Sequence, residues 1–142
     1  PAPIDLDEMA ALAEAAAEWM HHQIRTTLRG YASDESLEIQ EVLREKYAGI
    51  RPAPGYPACP EHSEKETLFN LLQAEENTGV TLTESFSMYP AASVSGFYFA
   101  HPDAQYFNVG KLLPDQLTDY AQRKNLSVET VEKLLPVNLV QS

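Results

Sequence analysis

Residues 49–62 read GIRPAPGYPACPEH and set Pro52, Pro54, Pro57 and Pro60 around Arg51, Tyr56 and the chain's sole cysteine, Cys59. A proline ring disfavours helical backbone in the residue before it, so Arg51, Ala53, Tyr56 and Cys59 are expected to be extended. Such a loop is stiff before anything binds, and its carbonyls and remaining N–H groups are not consumed by a helix or sheet. Proline-rich stretches more often serve as linkers or polyproline docking peptides. This one has no charge run and leads directly into helical signals, which favours a small-molecule cradle with Arg51 as its anion hook.

Upstream of the loop, Met9, Leu12, Ala16, Met20, Ile24 and Leu28 recur at helical steps. They predict one long helix with an inward apolar stripe that ends near Gly30, with Glu14, Glu18, His22 and Arg25 off the stripe. A second helix is expected from about Ser36 to Tyr47, with Ile39, Val42, Leu43 and Tyr47 inward and Gly49 as terminator. Downstream, Ser63 and Glu66 form a capping-box signal for a helix that buries Leu68, Phe69, Leu71 and Leu72 and runs to Gly79. Val80, Leu82, Phe86 and Met88 then share a period of two, with Glu84 in the same phase, which predicts a strand holding a paired carboxylate.

Residues 93–99 and 106–109 are expected to form an antiparallel pair joined across His101, Pro102 and Asp103. Pro114 suits the first turn of a helix carrying Leu117, Tyr120 and Ala121. Ser127 caps a further helix with Val131, Leu134 and Leu135, which Pro136 stops. The expected fold class is therefore α+β.

At 142 residues the chain is one domain or part of one. Its formal charge of −11 argues against nucleic-acid wrapping and against adsorption to an anionic membrane, and suits cationic partners. A single cysteine permits no intrachain disulfide, and no apolar run reaches the roughly 20 residues of a membrane span. The chain opens on Pro1 with no secretory leader pattern, which reads as an excised segment of a cytoplasmic protein.

The proline loop, the helix after it, LTESF (residues 82–86) and SVSGFYFAHPDAQYF (residues 93–107) together resemble one family. It is the S-adenosylmethionine-binding activation domain of cobalamin-dependent methionine synthase. The resemblance runs from near Leu12 to the final pair of helices, in the same order and with compatible spacing. It implies that residues 1–142 are the C-terminal portion of a single activation domain, with helices packed around a small twisted antiparallel sheet.

The function implied is reductive methylation, in which oxidised cobalamin is reactivated with S-adenosylmethionine as methyl donor. In the family the cobalamin is carried by a neighbouring domain, and an electron arrives from flavodoxin or a flavoprotein reductase. No catalytic side chain is expected here. The attacking atom is the metal and the thioether leaving group needs no proton, so the domain's task is positioning.

Residue by residue, the resemblance places Arg51 on the methionyl carboxylate, where a guanidinium makes a two-pronged, charge-assisted contact. Ala53 presents backbone to the adenine, and Gly55 in the same loop is a further cofactor-binding position. Tyr106 supplies a phenol near the carboxylate end, with Phe107 packing beside it. Tyr56 is a candidate to face the corrin or the methyl group. Glu14 and Glu45 match acidic positions near the cofactor, where they balance its ammonium and sulfonium; the plainer reading is that both are solvated, with Glu45 paired to Arg44 or Lys46.

Cys59 with His62, and His21 with His22, do not assemble the three or four ligands that zinc requires. The family keeps its zinc in another domain, so no metal is expected in this chain. A second reading remains open, a docking module that contacts the cobalamin domain, flavodoxin or a reductase without binding S-adenosylmethionine itself.

Overall fold

The computed structural model describes residues 5–140. Asp5 opens α1 (Leu6–Gln23) through a reciprocal cap: Asp5 Oδ1 accepts the Glu8 N–H at 2.8 Å, and the Glu8 carboxylate accepts the Asp5 N–H at 3.4 Å. The helix widens into a π-helical turn, Ile24–Leu28, and Gly30 at a φ of +63° ends it where the sequence pattern placed its end.

The apolar stripe of α1, however, does not form a core. Met9, Leu12 and Leu28 are exposed, while Ala16 and Met20 line a cavity. The fully buried residues here are His21 and Arg25, the second of them from the face read as lying off the stripe. Periodicity marks which face is apolar, whereas coverage depends on neighbours, and Tyr47, Tyr98 and Glu35 close over the polar side.

The second expected helix contracts to one turn, α2 (Ile39–Val42). Glu45 adopts left-handed backbone at a φ of +57°, which stops helical propagation before Tyr47. Ile39 and Leu43 are exposed, and Tyr47 is buried on the irregular stretch that leads into the proline loop.

Helix α3 (Glu64–Leu72) starts where expected, but the Ser63 hydroxyl donates to Glu61 Oε2 at 2.7 Å instead of capping it. Lys65 and Leu68 are its buried residues, whereas Leu71 and Leu72 face solvent. Left-handed Gln73 breaks the helix before α4 (Ala74–Thr78), and Gly79 terminates that.

The strand predicted across 80–88 is a hairpin. β1 (Thr81–Leu82) pairs antiparallel with β2 (Met88–Tyr89), Thr81 opposite Tyr89 and Leu82 opposite Met88. Thr83 Oγ1 accepts the Ser87 N–H at 3.1 Å, and Phe86 turns to a φ of +60°, so local side-chain bonding wins over continued extension. Glu84 is exposed in that turn and makes no ion pair among the described residues, contrary to the expected pairing.

Residues 93–99 and 106–109 do not pair with each other. Both attach to the proline loop. Ile50 and Phe99 exchange backbone bonds of 3.0 and 2.9 Å, Phe97 N–H donates to Pro52 O at 2.9 Å, and Val109 N–H donates to Pro57 O at 3.0 Å. The loop's spare carbonyls outcompete the expected hairpin partner.

The C-terminal helices follow the sequence pattern. α5 (Pro114–Lys124) carries proline in its first turn, and Ser127 Oγ caps α6 (Val128–Leu134) by accepting the Thr130 N–H at 3.1 Å. Leu117, Ala121, Val131 and Leu135 form a buried cluster, flanked by Leu112, Tyr120 and Leu139. Full burial of a valine or leucine contributes about 1.5–3 kcal/mol each, so this helical pair is a firm base below the loop. The fold is α+β, helices with a small two-stranded antiparallel sheet. No helix among the described residues is long and apolar enough to cross a membrane.

Candidate functional site

The proline loop forms one wall of a cavity of about 960 Å³. α1 supplies the facing wall through Ala13, Glu14, Ala16, Ala17 and Met20, and residues 91–98 close a third side. Arg51, Ala53, Gly55, Tyr56, Tyr106, Phe107, Glu14 and Glu45 all line this cavity, so the candidates taken from three distant stretches of sequence meet around one space.

They do so at different depths. Arg51 and Tyr106 are partly buried, whereas Tyr56, Phe107, Glu14 and Glu45 are exposed. The Tyr106 hydroxyl accepts the Arg51 backbone N–H at 3.0 Å and shares a 2.9 Å hydrogen bond with the Tyr47 hydroxyl. Neither Glu14 nor Glu45 makes an ion pair among the described residues, so Glu45 is not taken up by Arg44 or Lys46.

Gly55 has a φ of +101°, and a Cβ there would strike the His62 ring. Glycine at this position lets loop and imidazole close on each other. His62 Nδ1 lies 2.8 Å from Lys65 Nζ, and burial followed by that cation holds the His62 pKa below its usual value. Gly96 packs similarly on the loop, since a Cβ would stand 2.8 Å from Pro52 O.

The Arg51 guanidinium is already engaged. Its Nη2 donates to Glu18 Oε2 at 3.2 Å, and its buried Nε has no partner among the described residues. Burial alone would lower the Arg51 pKa, but the Glu18 carboxylate and the nearby phenols raise it. Tyr47 is pushed upward as well, first by burial and then by its bond to Tyr106. Both therefore keep their protons at neutral pH.

Behind this layer His21 is fully buried, with neither ring nitrogen hydrogen-bonded among the described residues. Its ring meets Tyr47 edge-on at 4.8 Å and lies 5.3 Å from Tyr98. Burial, then Arg25 and Arg51, lower its pKa to about 4, which makes it a neutral spacer.

Sequence reasoning missed several parts of the site. The sequence pattern makes Tyr47 an inward helical residue and puts Glu18 off the apolar stripe. Ser95 lies in the wall with a buried Oγ that has no partner among the described residues. A glutamate seven residues before an arginine on one helix, with a tyrosine ahead of the loop, was the available signal for the first two.

Cys59 faces away, lining a second cavity of about 690 Å³ with Glu61, Glu64 and Tyr120, while His62 lines the first. The two therefore do not make a shared half-site. Burial raises the Cys59 pKa, which leaves it a thiol. Among the described residues, no three His, Cys, Asp or Glu side chains are grouped to hold a metal ion.

A loop fastened to two further segments around an open cavity, with a half-buried arginine and, among the described residues, unpartnered polar atoms in its walls, has the form of a small-molecule site. Residues 6–125 match the family described as vitamin B12 dependent methionine synthase, activation domain, and the chain belongs to that family. It is also similar to a solved structure described as the MetH reactivation domain bound to AdoHcy, with 54% identity and a TM-score of 0.88. That match covers 94% of this chain and 41% of the other, so the chain spans well under half the length of its structural relative.

Proposed function

We propose that this chain binds S-adenosylmethionine in the 960 Å³ cavity and presents its methyl group for the reductive methylation of oxidised cobalamin, as part of a methionine synthase. The observation that carries the reading is the joining of Arg51 and Tyr106 at the cavity wall, where the phenol fixes the arginine's own backbone. In support, the similar solved structure is described as bound to AdoHcy, the demethylated form of the same nucleotide.

In this reading the Arg51 guanidinium takes the amino-acid carboxylate. Ala53 and Gly55 offer backbone along the loop, and Ser95 Oγ provides a further polar contact, being buried without a partner among the described residues. Glu14 and Glu45 set negative charge at the cavity, which favours the ligand's ammonium and sulfonium. Tyr56 and Phe107 are exposed aromatic faces for the corrin side. When bound by the neighbouring domain, cobalamin supplies the nucleophile; this chain orients the methyl group and needs no acid or base.

The partners that follow are the cobalamin-binding domain of the same enzyme and an electron donor, flavodoxin or a flavoprotein reductase, in the cytoplasm. The docking-only alternative draws on the exposed Met9, Leu12 and Trp19 of α1. Isothermal titration separates the two. S-adenosylmethionine is titrated into this chain and into a longer form that adds the sequence by which its structural relative exceeds it. Saturable heat favours the first reading, and no heat in the longer form removes it.

A further inference from the structure

Two routes converge on Arg51. The first holds its backbone, from Arg51 N–H to the Tyr106 hydroxyl and on to Tyr47. The second holds its side chain. Arg51 Nη2 donates to Glu18 Oε2 at 3.2 Å, and Glu18 is absent from the cavity lining although Arg51 belongs to it.

Glu18 in turn borders a buried cation, at ion-pair distance and without a hydrogen bond. Its Oε1 stands 3.8 Å from Nη1 of Arg25, which is fully buried. Arg25 donates from Nε and Nη2 to the two Glu35 oxygens, both at 2.8 Å. Its guanidinium also lies 4.5 Å from the centre of the Tyr47 ring, so the ionic route and the phenolic route meet at Tyr47, itself in the cavity wall. Glu35 is held below the usual carboxylate range: burial would raise it, but the Arg25 hydrogen bonds and charge prevail. The four side chains Glu35, Arg25, Glu18 and Arg51 alternate in sign and end at the cavity wall.

A free arginine side chain carries about 2 kcal/mol of rotamer entropy, and ordering it on ligand arrival subtracts from affinity. We propose that Glu18 is a positioning residue for Arg51. It grips the guanidinium from the side away from the cavity, braced by the Arg25–Glu35 pair, and so sets the direction in which Arg51 meets a ligand carboxylate. The assignment rests on the proposed function and adds to it the part of the ligand that Glu18 governs, its amino-acid end.

The test compares two ligands by isothermal titration. S-adenosylhomocysteine carries the amino-acid tail, and methylthioadenosine keeps the nucleoside and thioether without it. Both are titrated into the chain and its longer form, unaltered and as Glu18→Ala and Glu18→Gln. Glu18→Ala is expected to lose about tenfold in affinity for S-adenosylhomocysteine, as for one charge-assisted contact. Glu18→Gln, whose amide oxygen still accepts from Nη2, recovers to within about threefold, and methylthioadenosine binds all three proteins alike.

Equal S-adenosylhomocysteine affinity in Glu18→Ala overturns the assignment. So does tighter binding in that variant, which would make Glu18 a competitor of the ligand, and so does a parallel loss of both ligands, which would make it fold support only. In each of these cases the proposed function survives. Failure of the unaltered longer form to bind S-adenosylhomocysteine overturns both.

Discussion

The Tyr106 hydroxyl accepts the backbone N–H of Arg51 at 3.0 Å, across 55 positions of sequence. The bond ties a proline-loop residue to the segment after His101 and fixes where the arginine leaves the main chain. It also satisfies an N–H that the following proline ring keeps out of regular structure.

Removing the guanidinium tests the carboxylate contact directly. Arg51→Ala is expected to weaken S-adenosylmethionine binding by about 1.5–3 kcal/mol, the scale of a hydrogen bond to a charged group. Isothermal titration of the longer form measures it, and an unchanged dissociation constant removes Arg51 from the site.

Tyr106→Phe keeps the ring and deletes the oxygen. The Arg51 N–H and the Tyr47 hydroxyl each lose a partner, so stability is expected to fall by about 1–3 kcal/mol with the fold retained. Urea denaturation reads the stability, and titration should show weaker ligand binding. Wild-type values in both would mean that the hydroxyl fixes nothing.

Gly49→Ala places a Cβ against the Phe99 carbonyl, at a backbone φ of +76° that alanine disfavours. A loss of at least about 2 kcal/mol is expected. Amide hydrogen exchange supplies the local readout, because the Ile50 and Phe99 N–H groups, bonded to each other's carbonyls, should lose protection together.

The stability of the chain should fall in acid through His21. Its folded pKa of about 4 lies below the ordinary 6.5, so between those values the unfolded chain takes up a proton that the folded chain excludes. Stability then rises with pH through this window, and what is present above pH 6.5 is lost as pH falls to about 4. His21→Leu is expected to flatten that slope in urea titrations at stepped pH. His62, lowered by burial and by Lys65, leaves a residual slope of the same sign. A slope identical to wild type would show that His21 is not excluded from protonation.

The parts legible in sequence were those with local causes. Proline chemistry announced the rigid loop, Ser127 and Pro114 announced the last two helices, and Gly30 announced the end of the first. The eight candidate positions border one cavity, a grouping visible only in the geometry. Relations set by distant partners were not legible. Residues 93–99 look like half of a hairpin until Pro52 O and Phe99's partner Ile50 are placed beside them. Arg25 looks solvated on a helical wheel, and it is buried because Glu35, ten positions later, folds back to neutralise it. Thr83, Ser85 and Ser87 read as extended by period, yet their hydroxyls bond one another and turn the chain.

The alternating series Glu35, Arg25, Glu18 and Arg51 sums to no charge, in a molecule whose formal total is −11. Each member stands no more than 3.8 Å from the next, well inside the screening length of about 8 Å in physiological salt, and the Arg25–Glu35 end is buried. Raising the ionic strength therefore calms the repulsion between surface carboxylates and leaves the aim of the guanidinium unaltered.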